Sequence, residues 1–128
     1  MMKELTYHYK YANEIKLDMY KLDDLIQQKV DLIKIDVQGA EKLVLEGSEN
    51  ILKNTDFIIM ETNIIQYNEG SPMLSDMILF MDKKGFQIFD CIEFHHHEGY
   101  LIQIDFIFIN RKSKHFPTFT LDGVEYKN

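Results

Sequence analysis

Acidic and amide side chains follow two apolar stretches of the chain, in positions where they can act on one ligand. Asp36 ends the first stretch, and Glu61 and Asn63 follow the second. Ligands of open α/β sheets bind beyond the carboxyl ends of the strands, so we expect these side chains to share a cleft with Glu41. A carboxylate there can take the proton of a bound hydroxyl, and oxygen ligands suit Mg²⁺. In the alternative interpretation, Glu41 only favours its own helix dipole and Glu61 bonds nearby backbone amides.

Three consecutive histidines form a second group of possible ligands. They are His95, His96 and His97, and Cys91 and Glu98 lie close to them in the sequence. Adjacent residues of a strand point to opposite faces, so at most two of the three histidines converge from one regular strand. No second histidine cluster stands at ligand spacing. The sequence therefore favours a solvated hairpin tip over a zinc site.

The pattern of apolar residues predicts the elements that position these side chains. Apolar and polar residues alternate as in a strand over 7–11 and again over 15–19. For the rest of the chain the pattern predicts a strand over 30–36, a helix over 39–54, a strand over 57–60, a helix between 70 and 85, and strands over 86–94 and 100–109. The last two strands are joined by a short loop, which is typical of an antiparallel hairpin. This order predicts an α/β fold with a terminal antiparallel hairpin.

Composition limits the classes of function that fit the chain. Its 128 residues, 45% of them hydrophobic, suit a single domain over 1–128, and the formal net charge of −7 disfavours nucleic acid as a partner. The single cysteine, Cys91, leaves no internal disulfide and fits a reducing compartment. No apolar stretch approaches the ~18 residues of a membrane helix. We therefore expect a cytoplasmic protein that acts on a small molecule and does not bind membranes.

Several motifs together resemble the FkbM family of S-adenosylmethionine-dependent methyltransferases. They are Leu22-Asp23-Asp24-Leu25, Val30-Asp31-Leu32-Ile33-Lys34-Ile35-Asp36-Val37-Gln38-Gly39-Ala40-Glu41, Val44-Leu45-Glu46-Gly47, Ile58-Ile59-Met60-Glu61, Lys84-Gly85-Phe86 and Ile104-Asp105-Phe106-Ile107-Phe108. The similarity runs from about 15 to 111 and leaves 1–14 and 112–128 as extensions. It implies the C-terminal half of a class I methyltransferase sheet, which is Rossmann-like and parallel apart from its closing hairpin.

The resemblance also implies an activity and roles for residues. Methyl would pass from S-adenosylmethionine to a hydroxyl of a sugar or another small metabolite, with Asp36 and Glu61 as catalytic residues. Glu41, Asn63 and His95 would lie near the acceptor. Catechol-type methyltransferases hold magnesium with acids and an asparagine at similar strand ends, so Mg²⁺ is a further candidate cofactor at Asp36, Glu61 and Asn63.

The glycine-rich turn that holds the cofactor in this family has no counterpart before Gly39, the first glycine of the sequence. The resemblance therefore leaves the cofactor-binding residues unassigned, and we expect a truncated or split gene, or a second chain that supplies the missing half. A different function is a catalytically inactive half-domain that pairs with another chain or with itself, because the strand over 32–36 would expose an open edge. A third is a small metal-binding module that uses the histidine tip.

Overall fold

A four-stranded mixed sheet forms the centre of the computed structural model, which describes residues 15–66 and 70–126. The strands are β1 (Leu32–Ile35), β2 (Phe57–Asn63), β3 (Phe86–His97) and β4 (Tyr100–Asn110), in the spatial order β1-β2-β4-β3. β1 runs parallel to β2, and β4 is antiparallel to both of its neighbours. The predicted α/β fold and its antiparallel hairpin of β3 and β4 are confirmed.

Within the described residues, four helices accompany the sheet, and a small hairpin follows it. The helices are α1 (Leu22–Leu25), α2 (Glu41–Glu46), α3 (Glu49–Leu52) and α4 (Leu74–Lys83), and the second hairpin pairs β5 (Phe119–Leu121) with β6 (Val124–Tyr126). The prediction of a strand over 15–19 is wrong, because residues 15–20 adopt no regular structure and are exposed. The strand predicted over 7–11 lies outside the described residues. Among those described, no helix combines the length and the apolar character needed to cross a membrane.

The single helix predicted over 39–54 is two short helices, and Asp23 explains the break between them. The Asp23 carboxylate accepts hydrogen bonds from the backbone N–H groups of Asn50 (2.9 Å) and Ile51 (3.0 Å), at the start of α3. The backbone N–H of Asp23 donates to the carbonyl of Gly47, 3.1 Å away, at the end of α2. α1 therefore caps both helix ends at the break, a long-range contact that helical periodicity does not reveal.

The hydrogen bonds that Asp23 accepts predict how the thermal stability of the protein changes with pH. The hydrogen bond from the Asn50 N–H, and then that from Ile51, holds the pKa of Asp23 below its ordinary value, although desolvation opposes them. A lowered pKa means that the stabilisation is complete above the unfolded pKa of about 3.9 and is lost as the pH falls through the folded pKa. Asp23→Asn should therefore lower the melting temperature near pH 7 and make little difference at the acid end.

Thermal unfolding followed by circular dichroism between pH 2 and 7 checks this expectation. Asp24→Asn is the matched control, because that neighbouring carboxylate is exposed and belongs to the same helix. Equal losses in the two variants at neutral pH would contradict the capping role of Asp23.

One face of the sheet packs against the helices and forms the hydrophobic core. Cross-strand partners on this face include Ile58 with Phe108 and Met60 with Phe106. Met77 and Met81 of α4 belong to the same cluster; the other buried members are Ile35, Leu45, Leu52, Phe86 and Ile104. The alternating positions of β2 and β4 face the opposite side, where the sheet is less completely covered.

The turn between β3 and β4 is shorter than the five-residue loop predicted over 95–99. It consists of Glu98 and Gly99, both at positive φ (50° and 83°), the backbone geometry of the tight two-residue hairpin turns. β3 consequently extends to His97, and the predicted solvated tip is confirmed only for the exposed imidazoles of His96 and His97. His95 instead pairs with Gln103 inside the sheet.

Candidate functional site

The turn that follows β1 is held by its own side chains. Gln38 and Gly39 adopt positive φ (54° and 111°), and the Gly39 N–H donates to the Glu41 carboxylate at 2.8 Å. Glu41 is buried, which together with this bond fits the structural interpretation of that residue. Asp36 is exposed; its carboxylate accepts a hydrogen bond from the Gln38 amide at 3.1 Å and lies 3.7 Å from the Lys34 ammonium.

A cluster of polar side chains lies on the open face of the sheet at the carboxyl end of β2. Glu61 and Asn63 are two residues apart in β2, so they share that face. Directly across in β4 stand Asp105 opposite Glu61, and Gln103 opposite Asn63. His95 of β3 is the register partner of Gln103. Three adjacent strands thus bring five polar residues to one patch, which we call the strand-end cluster.

Short contacts connect the members of the strand-end cluster. The His95 Nε2 lies 2.9 Å from Asp105 Oδ1 and 3.8 Å from Glu61 Oε2. The Gln103 amide donates to Glu61 Oε1 at 2.6 Å and to Asn63 Oδ1 at 3.1 Å. Glu61 therefore has one oxygen fixed by an amide and the other turned towards the imidazole. These bonds orient side chains that are partly exposed to solvent, apart from Asn63, which is buried.

The surroundings of Glu61 and His95 raise the pKa of both side chains. Burial, and then the charge of Asp105, raises the pKa of Glu61, while His95 opposes the shift and the more remote charges of Asp36 and Glu41 add to it. The hydrogen bond to Asp105 raises the pKa of His95, against desolvation. Negative charge is thus in excess here, so the cluster favours a proton or a cation.

The structure brings together three of the five residues singled out from the sequence, namely Glu61, Asn63 and His95. The charges of Asp36 and Glu41 help to raise the pKa of Glu61, but each of these carboxylates accepts a hydrogen bond within the turn after β1. Sequence reasoning missed Gln103 and Asp105. A signal for them existed: each of β2 and β4 carries two polar residues spaced by two, and such pairs meet when the strands are antiparallel neighbours.

A groove of about 640 Å³ lies between α2 and α4, apart from the strand-end cluster. Its lining includes Gly39, Lys42, Ser71, Phe80 and Lys83. Gly39 connects it with the turn that carries Asp36. The groove is therefore concave space beside the carboxyl end of β1, and none of the cluster residues lines it.

The family model of the methyltransferase FkbM domain matches residues 1–88. The chain belongs to the FkbM methyltransferase domain family. The family resemblance noted from the sequence motifs is thereby confirmed, and a four-stranded mixed sheet is compatible with a methyltransferase-like fold. Neither the curated proteins nor the solved structures give a match to the chain.

The FkbM match divides the candidate residues into two groups. Asp36, Glu41, Glu61 and Asn63 fall within the matched region, which ends in the first residues of β3. His95 and Asp105 lie beyond it. The FkbM domain match therefore covers the strand ends with their acids, whereas the imidazole and second carboxylate beside Glu61 come from the part of the chain that the match does not include.

Proposed function

We propose that this chain is the acceptor-binding part of a methyltransferase that transfers methyl from S-adenosylmethionine to a hydroxyl of a sugar or another small metabolite. The observation that supports this most strongly is the family match across β1 and β2, whose carboxyl ends carry Asp36 and Glu61. The four strands would correspond to the C-terminal half of a class I sheet, since the last strand inserts antiparallel between its neighbours.

The acceptor hydroxyl would bind beside Glu61, the partly buried carboxylate of the strand-end cluster. Glu61 would take the hydroxyl proton as the oxygen becomes nucleophilic. The negative charge of Asp36, at the adjacent strand end, would favour the protonated form of Glu61 that results. Asn63 and His95 supply hydrogen-bonding groups for the rest of the acceptor, and Glu41 holds the turn between Asp36 and α2. These residues would speed methyl transfer by orienting the acceptor as well as by accepting its proton.

The residues of this chain do not fit the whole donor. A nucleoside cofactor of this size is normally cradled by a glycine-rich turn after a strand, where backbone amides approach the ligand closely. The sequence has no glycine before Gly39, and α1 is the one regular element that the structure describes between residues 15 and 31. We therefore derive no role for this chain at the methionine and ribose ends of the donor.

Transfer of an isotopically labelled methyl group tests the proposal. The purified chain is incubated with labelled S-adenosylmethionine and a panel of sugars and small hydroxylated metabolites, and products are detected by mass spectrometry. Donor binding is measured in parallel by calorimetric titration with S-adenosylhomocysteine. Labelled ether products are expected, and they would mean that the chain holds the donor without a glycine-rich turn. Absence of product together with no heat at millimolar ligand would reject independent activity.

A second candidate function is a half-domain that completes its sheet by pairing with a second copy of itself. Among the described strands β1 has β2 as its sole neighbour, and Leu32 on β1 is half exposed. Unpaired edges with apolar side chains recruit further strands. If the methyl-transfer experiment fails, light scattering on the same sample decides: a dimer favours this candidate, a complex only with another chain favours a complementary half, and a strict monomer rejects both.

A further inference from the structure

The strand-end cluster has the composition and spacing of a cation site. One ligand atom each from Glu61, His95 and Asp105 can be chosen so that all lie within 4.8 Å of one another, and no other group of this kind occurs among residues 15–66 and 70–126. The three residues come from β2, β3 and β4 and occupy one face of the sheet. We propose that Glu61, His95 and Asp105 bind a divalent first-row transition-metal ion such as Mn²⁺ or Zn²⁺.

The distances between the ligand atoms fit such an ion after a small side-chain movement. Nitrogen and oxygen ligands lie about 2.0–2.2 Å from Zn²⁺, so neighbouring ligand atoms stand about 3–3.5 Å apart. The separation of His95 Nε2 and Asp105 Oδ1 is 2.9 Å already, and that of His95 Nε2 and Glu61 Oε2 is 3.8 Å. The ligand atoms of Glu61 and Asp105 lie within 4.8 Å of each other, so the Glu61 carboxylate would have to move towards the other two ligands for all three to bind one ion.

The pairing of β2 with β4 supplies an independent reason for a cation. Glu61 and Asp105 are direct register partners, and like charges placed directly opposite each other destabilise a sheet. One imidazole compensates at most one of the two carboxylates. A bound divalent ion would neutralise both, which turns an unfavourable pair of residues into a favourable one.

Gln103 holds one of the proposed ligands, Glu61, in position from outside. Its amide donates to Glu61 Oε1 at 2.6 Å and leaves Oε2 directed towards His95. Such outer hydrogen bonds orient ligands in metal sites generally. All three ligand side chains also keep some solvent exposure, so the ion would have open coordination positions on the solvent side.

The mixture of ligands selects the class of ion. Two carboxylates and an imidazole suit Mn²⁺, Fe²⁺, Co²⁺ or Zn²⁺, whereas Mg²⁺ prefers oxygen ligands and water. This differs from the magnesium set of Asp36, Glu61 and Asn63 that the sequence suggested. If the proposed methyl transfer is right, an open position on the ion would bind the acceptor hydroxyl and stabilise its alkoxide. With the ion bound, Glu61 would act as a ligand instead of the proton acceptor, and the hydroxyl proton would pass to solvent. That consequence rests on the proposed function, whereas binding of the ion does not.

Calorimetric titration of tag-free, chelator-treated protein with MnCl₂ and ZnCl₂, in the absence of any methyl donor, tests the site. One ion per chain is expected, with Mg²⁺ at least about tenfold weaker. His95→Ala, Glu61→Gln and Asp105→Asn should each weaken binding by about 10–100-fold or more. The matched control is the double variant His96→Ala with His97→Ala, which removes two exposed imidazoles of the same strand and should titrate like the wild type.

Three results would overturn the site: no 1:1 binding, wild-type affinity in His95→Ala, or loss of binding in the control variant. Circular dichroism on each variant establishes that a loss of affinity is not a loss of fold. Glu61→Gln removes a repulsive charge and should stay folded, so it keeps the test valid if His95→Ala unfolds. Ion binding without labelled methyl product retains this inference and rejects the enzymatic proposal. Labelled product that persists in excess chelator retains the enzymatic proposal and rejects only a role of the ion in methyl transfer.

Discussion

Replacing Glu61 by glutamine is expected to lower the rate of methyl transfer by roughly 10²–10⁴-fold, the usual contribution of a positioned general base. Glutamine keeps the size of the side chain and can still accept the hydrogen bond from Gln103 at its remaining oxygen. It cannot take a proton from a bound hydroxyl. The labelled-methyl assay measures this loss. The rate at saturating acceptor and the acceptor concentration that gives half the maximal rate are determined separately.

The same substitution should leave thermal stability unchanged or raise it, which distinguishes a functional residue from a structural one. Burial and the facing charge of Asp105 raise the pKa of Glu61, so its charged form is unfavourable in the folded protein. Functional sites commonly keep such destabilising groups. Glu93→Gln is the control, because Glu93 is an exposed carboxylate at the register position opposite Asp105 on β3. Equal loss of activity in both variants would contradict a specific role for Glu61.

The strand-end cluster shows which part of a site can be derived from a sequence. Asp36, Glu61 and Asn63 were recognisable because each follows an apolar strand, and the position of a strand end depends on residues close in the chain. The polar spacing in β4 marked Asp105 but could not assign it to Glu61, because their meeting depends on the register between β2 and β4, which are separated by a helix and a strand. Register is set by long-range packing and turns rather than by local periodicity.

Turn geometry decided the role of the histidines in the same way. A loop of five residues over 95–99 would have left His95 in solvent, whereas the two-residue turn at Glu98 and Gly99 extends β3 far enough to place His95 beside Gln103. Gly99 is one half of the signal for such a turn, but Glu98 is not the asparagine, aspartate or glycine that usually precedes it, so the sequence signal was incomplete. The Asp23 cap between α2 and α3 had no comparable signal, because its partners are 27 and 28 residues away.

The largest loss of stability is expected from Phe108→Ala. Phe108 on β4 is 1% exposed, faces Ile58 of β2 across the strand pair and lies 5.9 Å from the ring of Phe106, measured between centroids. Truncating a fully buried phenylalanine removes its transfer free energy and leaves a cavity, at a cost of about 3–5 kcal/mol. That is a large fraction of the about 5–15 kcal/mol that stabilises a typical domain.

Chemical and thermal denaturation measure this loss as a drop of about 10–20 °C in melting temperature. Phe94→Ala on β3 is the matched control, because that ring is 53% exposed, and its removal should cost under about 1 kcal/mol. Phe108 and Glu61 occupy opposite faces of the sheet by register, so Phe108→Ala should retain metal affinity at temperatures where it stays folded. Loss of affinity in the folded Phe108→Ala protein would mean that packing on the helix-covered face controls the geometry of Glu61, His95 and Asp105, and that the two faces of this sheet are energetically coupled.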